Sequence, residues 1–266
     1  MLPSHPLAAN VAWTRDHGHR RQDRRARRHP AHARPQRALH RHAGARSPHQ
    51  GLELHLARLE AANLELYDAG LDTGSVLDSI RTALGDDIDD ASVRVHVLEA
   101  DRLHLFVTVR PPQEAATSPR TVTSVVHQRF LPHIKHTGGF AQGYYGARAR
   151  ARGFDEALFT TAEGLVSEGT ITNVGCFDGA AVIWPDAPML HGVTMQVMER
   201  RLRAAGIPQE RRPVAIGDLP SFESVFLTNS HGVVMVGRLE DAPLPLDGAF
   251  AARLLGLYAD EPWETI

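Results

Sequence analysis

With 266 residues and 42% hydrophobic content, the chain is long enough to bury one large core or two modest ones. No apolar run reaches about 18 residues and the N-terminus has no apolar leader, so neither a transmembrane helix nor a signal peptide is expected, and a cytoplasmic protein is. The single cysteine, Cys176, excludes an internal disulfide and a cysteine-built metal cage, and its setting in Val174-Gly-Cys-Phe predicts a buried small hydrophobe.

The net charge of −2 hides an asymmetry: residues 1–50 carry 11 Arg against Asp16 and Asp23, together with eight of the 16 His. This Arg/His/Pro/Ala-rich segment shows no alternation that predicts a strand. Three readings fit it: a disordered tail, translation from a shifted frame of a GC-rich gene, or an arm that binds a polyanion. No aromatic interleaving or nucleic-acid motif accompanies the charge, so nucleic acid is not the expected partner. Ordinary patterning begins at Gly51.

Leu52, Leu56, Leu59 and Leu66 mark one face of a helix that Gly70 should stop. A second helix starts at Asp72-Thr73, turns Val76, Leu77, Ile80 and Leu84 inward, and ends at Gly85. The period then changes to two over Ser92–Leu98 and Leu103–Val109, as in a hairpin. The Pro-rich stretch Pro111–Pro119 reads as a linker, dividing a small α+β domain at 51–115 from a larger domain at 116–266. That larger domain should hold a strand at 121–130, a Gly-rich turn, and a helix from Phe140 to Arg152. A meander of short strands follows at Glu156–Thr161, Leu165–Ser167, Thr172–Phe177 and Ala181–Trp184. A helix over Met195–Ala205, strands Ser224–Thr228 and Val233–Val236, and a helix over Gly248–Tyr258 complete it.

Of the 29 basic side chains 28 are Arg, and the one lysine, Lys135, lies in the Gly-rich turn Leu-Pro-His-Ile-Lys-His-Thr-Gly-Gly-Phe. A lysine amine can lose its proton and form a Schiff base with a carbonyl, which guanidinium cannot do. A surface survivor is the alternative. In Leu165-Val-Ser-Glu-Gly-Thr-Ile-Thr-Asn-Val-Gly-Cys-Phe, Glu168 and Asn173 interrupt a buried strand pair. A buried carboxylate needs a partner, and a protonated heterocycle nitrogen would supply one; an exposed strand position is the plainer reading of Glu168. In Leu190-His-Gly-Val-Thr-Met a glycine opens a helix whose free N–H groups suit an anion, with Thr194 adding a hydroxyl or serving only as N-cap. Leu227-Thr-Asn-Ser-His-Gly could offer another hydroxyl or be simply a turn.

An amine nucleophile, a carboxylate for a ring nitrogen and an anion cup together match the needs of pyridoxal 5′-phosphate. With Lys135, Ser167-Glu-Gly…Asn173, Gly192-Val-Thr and Thr228-Asn-Ser in that order, the stretch from about Gly51 to Ile266 resembles the class IV aminotransferases. These fold-type IV enzymes include branched-chain and D-amino-acid aminotransferases and 4-amino-4-deoxychorismate lyase. The resemblance implies two α/β domains with mixed strands, a homodimer, and a Schiff base on Lys135. It further implies Glu168 facing the ring nitrogen, phosphate held at Val193 and Thr194, a phosphate-binding hydroxyl at Ser230, and Arg58 reaching the phosphate from the small domain. Phe140 stands where branched-chain enzymes tend to carry Tyr, and Met195 replaces a common Arg. The activity implied is amino transfer between an amino acid and a 2-oxo acid. The alternatives are release of pyruvate and 4-aminobenzoate from 4-amino-4-deoxychorismate, to which Lys135-His136 and Thr228-Asn229-Ser230 are somewhat closer, and a non-catalytic homologue with a basic polyanion-binding arm.

Overall fold

The computed structural model describes residues 51–86, 88, 91–113 and 116–261, and the backbone of 8–9, 38–42, 48–49 and 264–265. The expectations of disorder or frame shift for the rest of 1–50 lie outside the described residues. Two compact units emerge. The first is Met1–Gln113 with Lys135–Gly138 and Trp263–Ile266, and the second is Glu114–Ile134 with Gly139–Pro262.

In the first unit, short strands β1 (Ala8–Ala9), β2 (Ala38–His42) and β3 (Pro48–His49) fall where the sequence offers no alternation. Helix α1 (Leu52–Tyr67) buries Leu52, His55, Leu59, Ala62 and Asn63. It stops before Gly70, because Asp68 turns left-handed (φ 51°) and its N–H closes on the Leu64 carbonyl. Leu66 is accordingly only half-buried. Helix α2 (Thr73–Leu84) begins on the Asp72 carboxylate, which accepts from the Gly74 and Ser75 amides, and ends at Gly85. Strands β4 (Ala91–Glu99) and β5 (Leu103–Arg110) form an antiparallel hairpin in register Ser92↔Arg110 to Glu99↔Leu103. Val93, Val95, Val97, Leu105 and Val107 face Val76, Ile80 and Leu84 across the core. The sheet order is β1-β5-β4-β2.

The second unit is built on a sheet of nine strands. β6 (Arg120–Val126) is shorter than the expected 121–130, and the chain leaves the sheet just before Arg129, which is buried. Then come α3 (Phe140–Ala151), β7 (Glu156–Thr160), β8 (Val166–Gly169), β9 (Asn173–Phe177), β10 (Val182–Pro185) and α4 (Val193–Ala204). They are followed by β11 (Gln209–Arg212), a 3-10 turn (Ile216–Ser221), β12 (Ser224–Asn229), β13 (Gly232–Leu239), β14 (Ala242–Pro243) and α5 (Gly248–Ala259). β15 (Glu264–Thr265) returns to pair with β3 in the first unit.

The strands do not form the expected meander. Their order is β11-β10-β9-β12-β13-β6-β7-β8, with β14 on β13, so β8 and β9, adjacent in the chain, lie at separate places along the curled path. Glu168 and Asn173 therefore do not pair with each other: Glu168 stands opposite Phe159 and Asn173 opposite Thr228, and the two flank a tight turn that carries the chain from one strand to the other. One sheet face packs Val122, Leu158, Val174, Val225 and Leu227 into a core. Phe226, Trp184 and Met235 join Met195, Met198, Phe250 and Leu254 of α4 and α5 in another.

Candidate active site

Glu168 ends up 4% exposed near the end of β8, not on the surface. Its Oε2 accepts the Leu190 N–H at 3.2 Å, and its Oε1 lies 3.5 Å from Arg129 Nε, a contact too long to count as a hydrogen bond. An ion pair this buried holds only if its geometry is fixed. Arg129 is fixed: its Nη2 donates to the Pro132 carbonyl at 2.6 Å and the Ile134 carbonyl at 2.8 Å. Burial pushes the guanidinium below its ordinary range and the Glu168 charge pulls it back up. Between Arg129 and the first of these carbonyls, Leu131 adopts a left-handed backbone (φ 44°), a strained state that the Arg129 bonds and the Ile134 N–H to Leu131 carbonyl bond hold in place. Ile134 is the residue before Lys135, so Arg129 ties the buried carboxylate to the chain leading into the lysine.

Asn173 opens β9 and is also buried. Its side-chain amide donates to the Leu190 carbonyl at 2.6 Å. Glu168 thus takes the N–H of Leu190 and Asn173 takes its C=O, gripping one residue from both sides. Two residues on, Gly192 precedes α4 in an extended conformation. A Cβ there would stand 2.1 Å from Asn173 Oδ1, so glycine is required for close approach, not for an unusual φ.

No side chain caps α4. Thr194 is not the N-cap; it lies inside the first turn, 8% exposed, and its hydroxyl donates to the Asn229 carbonyl at 2.6 Å. That bond draws the Gly-Val-Thr and Thr-Asn-Ser segments together. Ser230 beside it is half-buried, and Thr228 is 1% exposed with an Oγ1 that has no hydrogen-bond partner. The second unit therefore brings Glu168, Val193, Thr194 and Ser230 into one connected set. Arg58, half-buried on α1 with its Nη2 3.4 Å from His55 Nδ1, and Lys135 belong to the first unit. Phe140 is 85% exposed and Met195 is fully buried in the α4 core.

The donor set suits a phosphorylated aromatic aldehyde: open amides at a helix start for the phosphate and a buried carboxylate for a ring cation. The family model for amino-transferase class IV matches residues 45–239. The chain belongs to the class IV aminotransferase family. With that membership comes its cofactor, pyridoxal 5′-phosphate. No curated protein sequence matches the chain.

Among solved structures, a Legionella pneumophila protein whose 4-amino-4-deoxychorismate lyase assignment is provisional is similar with TM-score 0.76 and 16% identity, covering 84% of this chain and 89% of that one. The branched-chain aminotransferase of the thermophilic archaeon Thermoproteus uzoniensis, solved with norvaline, matches with TM-score 0.72 and 19% identity, covering 85% and 84%. A hypothetical aminotransferase from Mycobacterium tuberculosis in its PLP-bound form matches with TM-score 0.70 and 18% identity, covering 84% and 87%. At these identities the likeness carries the fold, which is the fold-type IV architecture of mixed α/β elements around a curled sheet.

Proposed function

We propose that this class IV protein is a pyridoxal-phosphate-dependent aminotransferase that moves an amino group between an amino acid and a 2-oxo acid. The observation that carries the reading is Glu168, a carboxylate 4% exposed, braced by Arg129 and by the Leu190 N–H. So costly a burial is reasonable where the carboxylate meets a cationic ring nitrogen. When bound, the cofactor supplies an electron sink for the pair left on the substrate Cα. Lys135 would hold the cofactor through its Nζ, and its amine, when unprotonated, is the group that would take the substrate Cα proton. The Val193 and Thr194 amides, the Ser230 hydroxyl and Arg58 would hold the phosphate, with the Thr194 hydroxyl keeping the Asn229-Ser230 segment in place through its bond to the Asn229 carbonyl, and Glu168 would keep the ring nitrogen charged.

The second reading, release of pyruvate from 4-amino-4-deoxychorismate, is favoured by Lys135-His136 and Thr228-Asn229-Ser230 and uses the same base. The working unit we propose is a cytoplasmic homodimer. Its support is exposed aromatic side chains on the second unit: Phe130 is 80% exposed, and Phe140, 85% exposed, stacks on Tyr144 at 6.2 Å. Among the described residues no helix is long and apolar enough to cross a membrane.

Purified protein should be yellow, and its visible band should vanish on borohydride treatment and be absent in Lys135→Ala; a colourless protein that takes up no added cofactor overturns the reading. An amino acid with 2-oxoglutarate should yield its 2-oxo acid. Turnover of aminodeoxychorismate alone would replace the transaminase by the lyase.

A further inference from the structure

Glu156 opens β7, 8% exposed, and no step of the proposed chemistry uses it. Three donors converge on its Oε1: the Thr170 hydroxyl at 3.1 Å, the Ile171 N–H at 2.9 Å and the Thr172 hydroxyl at 3.0 Å. All three come from the single turn that links β8 to β9. The turn is closed by the Gly169 N–H on the Thr172 carbonyl at 2.8 Å and pinned to β7 by the Thr170 N–H on the Ala157 carbonyl at 3.0 Å. It is wrapped as tightly as it can be, since a Cβ on Gly169 would stand 2.1 Å from Thr172 Oγ1 and 2.5 Å from Glu156 Oε1.

Glu168 immediately precedes this turn and Asn173 immediately follows it. The two side chains hold Leu190 by its N–H (3.2 Å) and its C=O (2.6 Å), and Leu190 leads through His191 and Gly192 into α4. One buried acceptor oxygen thus governs both ends of a two-jawed clamp.

We propose that Glu156 is a positioning residue: by fixing the 169–172 turn it sets the place of Glu168 and, through Asn173 and Leu190, the place of the α4 start, so that the ring-nitrogen and phosphate ends of the cofactor are spaced by a side chain that touches neither. The inference rests on the reading of Glu168 and α4 as the cofactor's two contacts. What the turn needs is an acceptor rather than a charge, because the donors share one oxygen. Burial pushes the Glu156 carboxyl above its ordinary range, and the three hydrogen bonds offset this only in part. An amide keeps that oxygen; leucine removes it and leaves two buried hydroxyls and the part-buried Ile171 N–H without this partner.

The test titrates apoprotein with pyridoxal phosphate and with pyridoxal, which lacks the phosphate, following the visible band and its pH dependence. Glu156→Gln should stay within about twofold of wild type, whereas Glu156→Leu should weaken pyridoxal phosphate by about tenfold or more. In the leucine variant pyridoxal should weaken as well and the band's pH dependence should move, since the Glu168 end is displaced together with the phosphate end. Glu156→Asp, which withdraws the oxygen by one methylene, should fall between the two and serves if the leucine variant does not fold. The proposal is overturned if Glu156→Leu or Glu156→Asp melts earlier yet binds cofactor with wild-type affinity and spectrum, or if Glu156→Gln is as impaired as Glu156→Leu. Wild-type protein that binds neither compound would instead overturn the cofactor reading beneath it.

Discussion

α4 and α5 have the same length of 12 residues and pack side by side, joined by an Arg201 Nε bond to the Leu257 carbonyl at 3.1 Å, yet they begin in opposite ways. α5 starts on Asp247, whose carboxylate accepts the Ala249 and Phe250 amides at 2.8 and 3.1 Å. α4 starts on Gly192, which brings no side chain to its first turn, although a cap is worth about 1 kcal/mol. An acidic cap at position 192 would place a negative charge where the proposed function puts the cofactor's phosphate. The two starts contrast a helix end capped by a side chain with one left uncapped and proposed for binding, and each of the following variants bears on that contrast.

The largest effect should come from Gly192→Ala. The new methyl collides with Asn173 Oδ1, so the clamp on Leu190 must yield, costing about 2–3 kcal/mol of stability and most of the cofactor affinity. Urea melts and a visible titration measure both; an alanine variant with neither loss would show that the close approach is idle. Thr194→Val comes next, expected to weaken pyridoxal phosphate about tenfold while leaving pyridoxal little changed, since the hydroxyl's bond to the Asn229 carbonyl holds together the two segments proposed for the phosphate end. Equal weakening of the two ligands would dissolve the distinction between phosphate and ring contacts.

Asp247→Ala supplies the converse. It should lower stability by about 1 kcal/mol and leave cofactor affinity at the wild-type value. A shifted affinity there would mean that the two helix starts are not separate in function.

The smallest effect is a pH slope. Burial pushes the Glu199 carboxyl of α4 up, but His191 at 2.8 Å and Arg211 at 2.9 Å outweigh it and hold it below its ordinary range. A carboxyl depressed in the folded state contributes stability above its unfolded pKa, about 4.3, and loses it as pH falls through the lower folded value. Glu199→Gln should therefore show a shallower loss of stability on acidification, measured as melting temperature between neutral pH and about pH 3. Parallel acid limbs in the two proteins would remove Glu199 from the account.

What the sequence makes legible is what is local. Asp72 and Gly85 bound α2 because capping acts within a few residues, and the β4–β5 hairpin follows from strict alternation. Glu168 stands out because a charge breaks an apolar run. Arg129 does not stand out: it is one arginine among 28, inside a stretch that continues the β6 pattern, and its importance comes from a carboxylate 39 positions later. Glu156 looks like any polar residue opening a strand, since its donors lie 14 to 16 residues on. β11 is all polar, Gln-Glu-Arg-Arg, and becomes a strand only by lying parallel to β10 at the sheet edge. The order of strands along the curled sheet is likewise set by long-range pairing that local patterning does not encode.

Cys176 sits fully buried in β9, and its thiol is pushed up to about 12 by desolvation. A sulfur held this way stays protonated and out of reach of maleimides and other alkylating probes. Because it is the sole cysteine, spin labels or fluorophores could be attached at a newly introduced surface thiol without first removing the native one. Distance measurements on the helix starts could then be made on an otherwise unaltered chain.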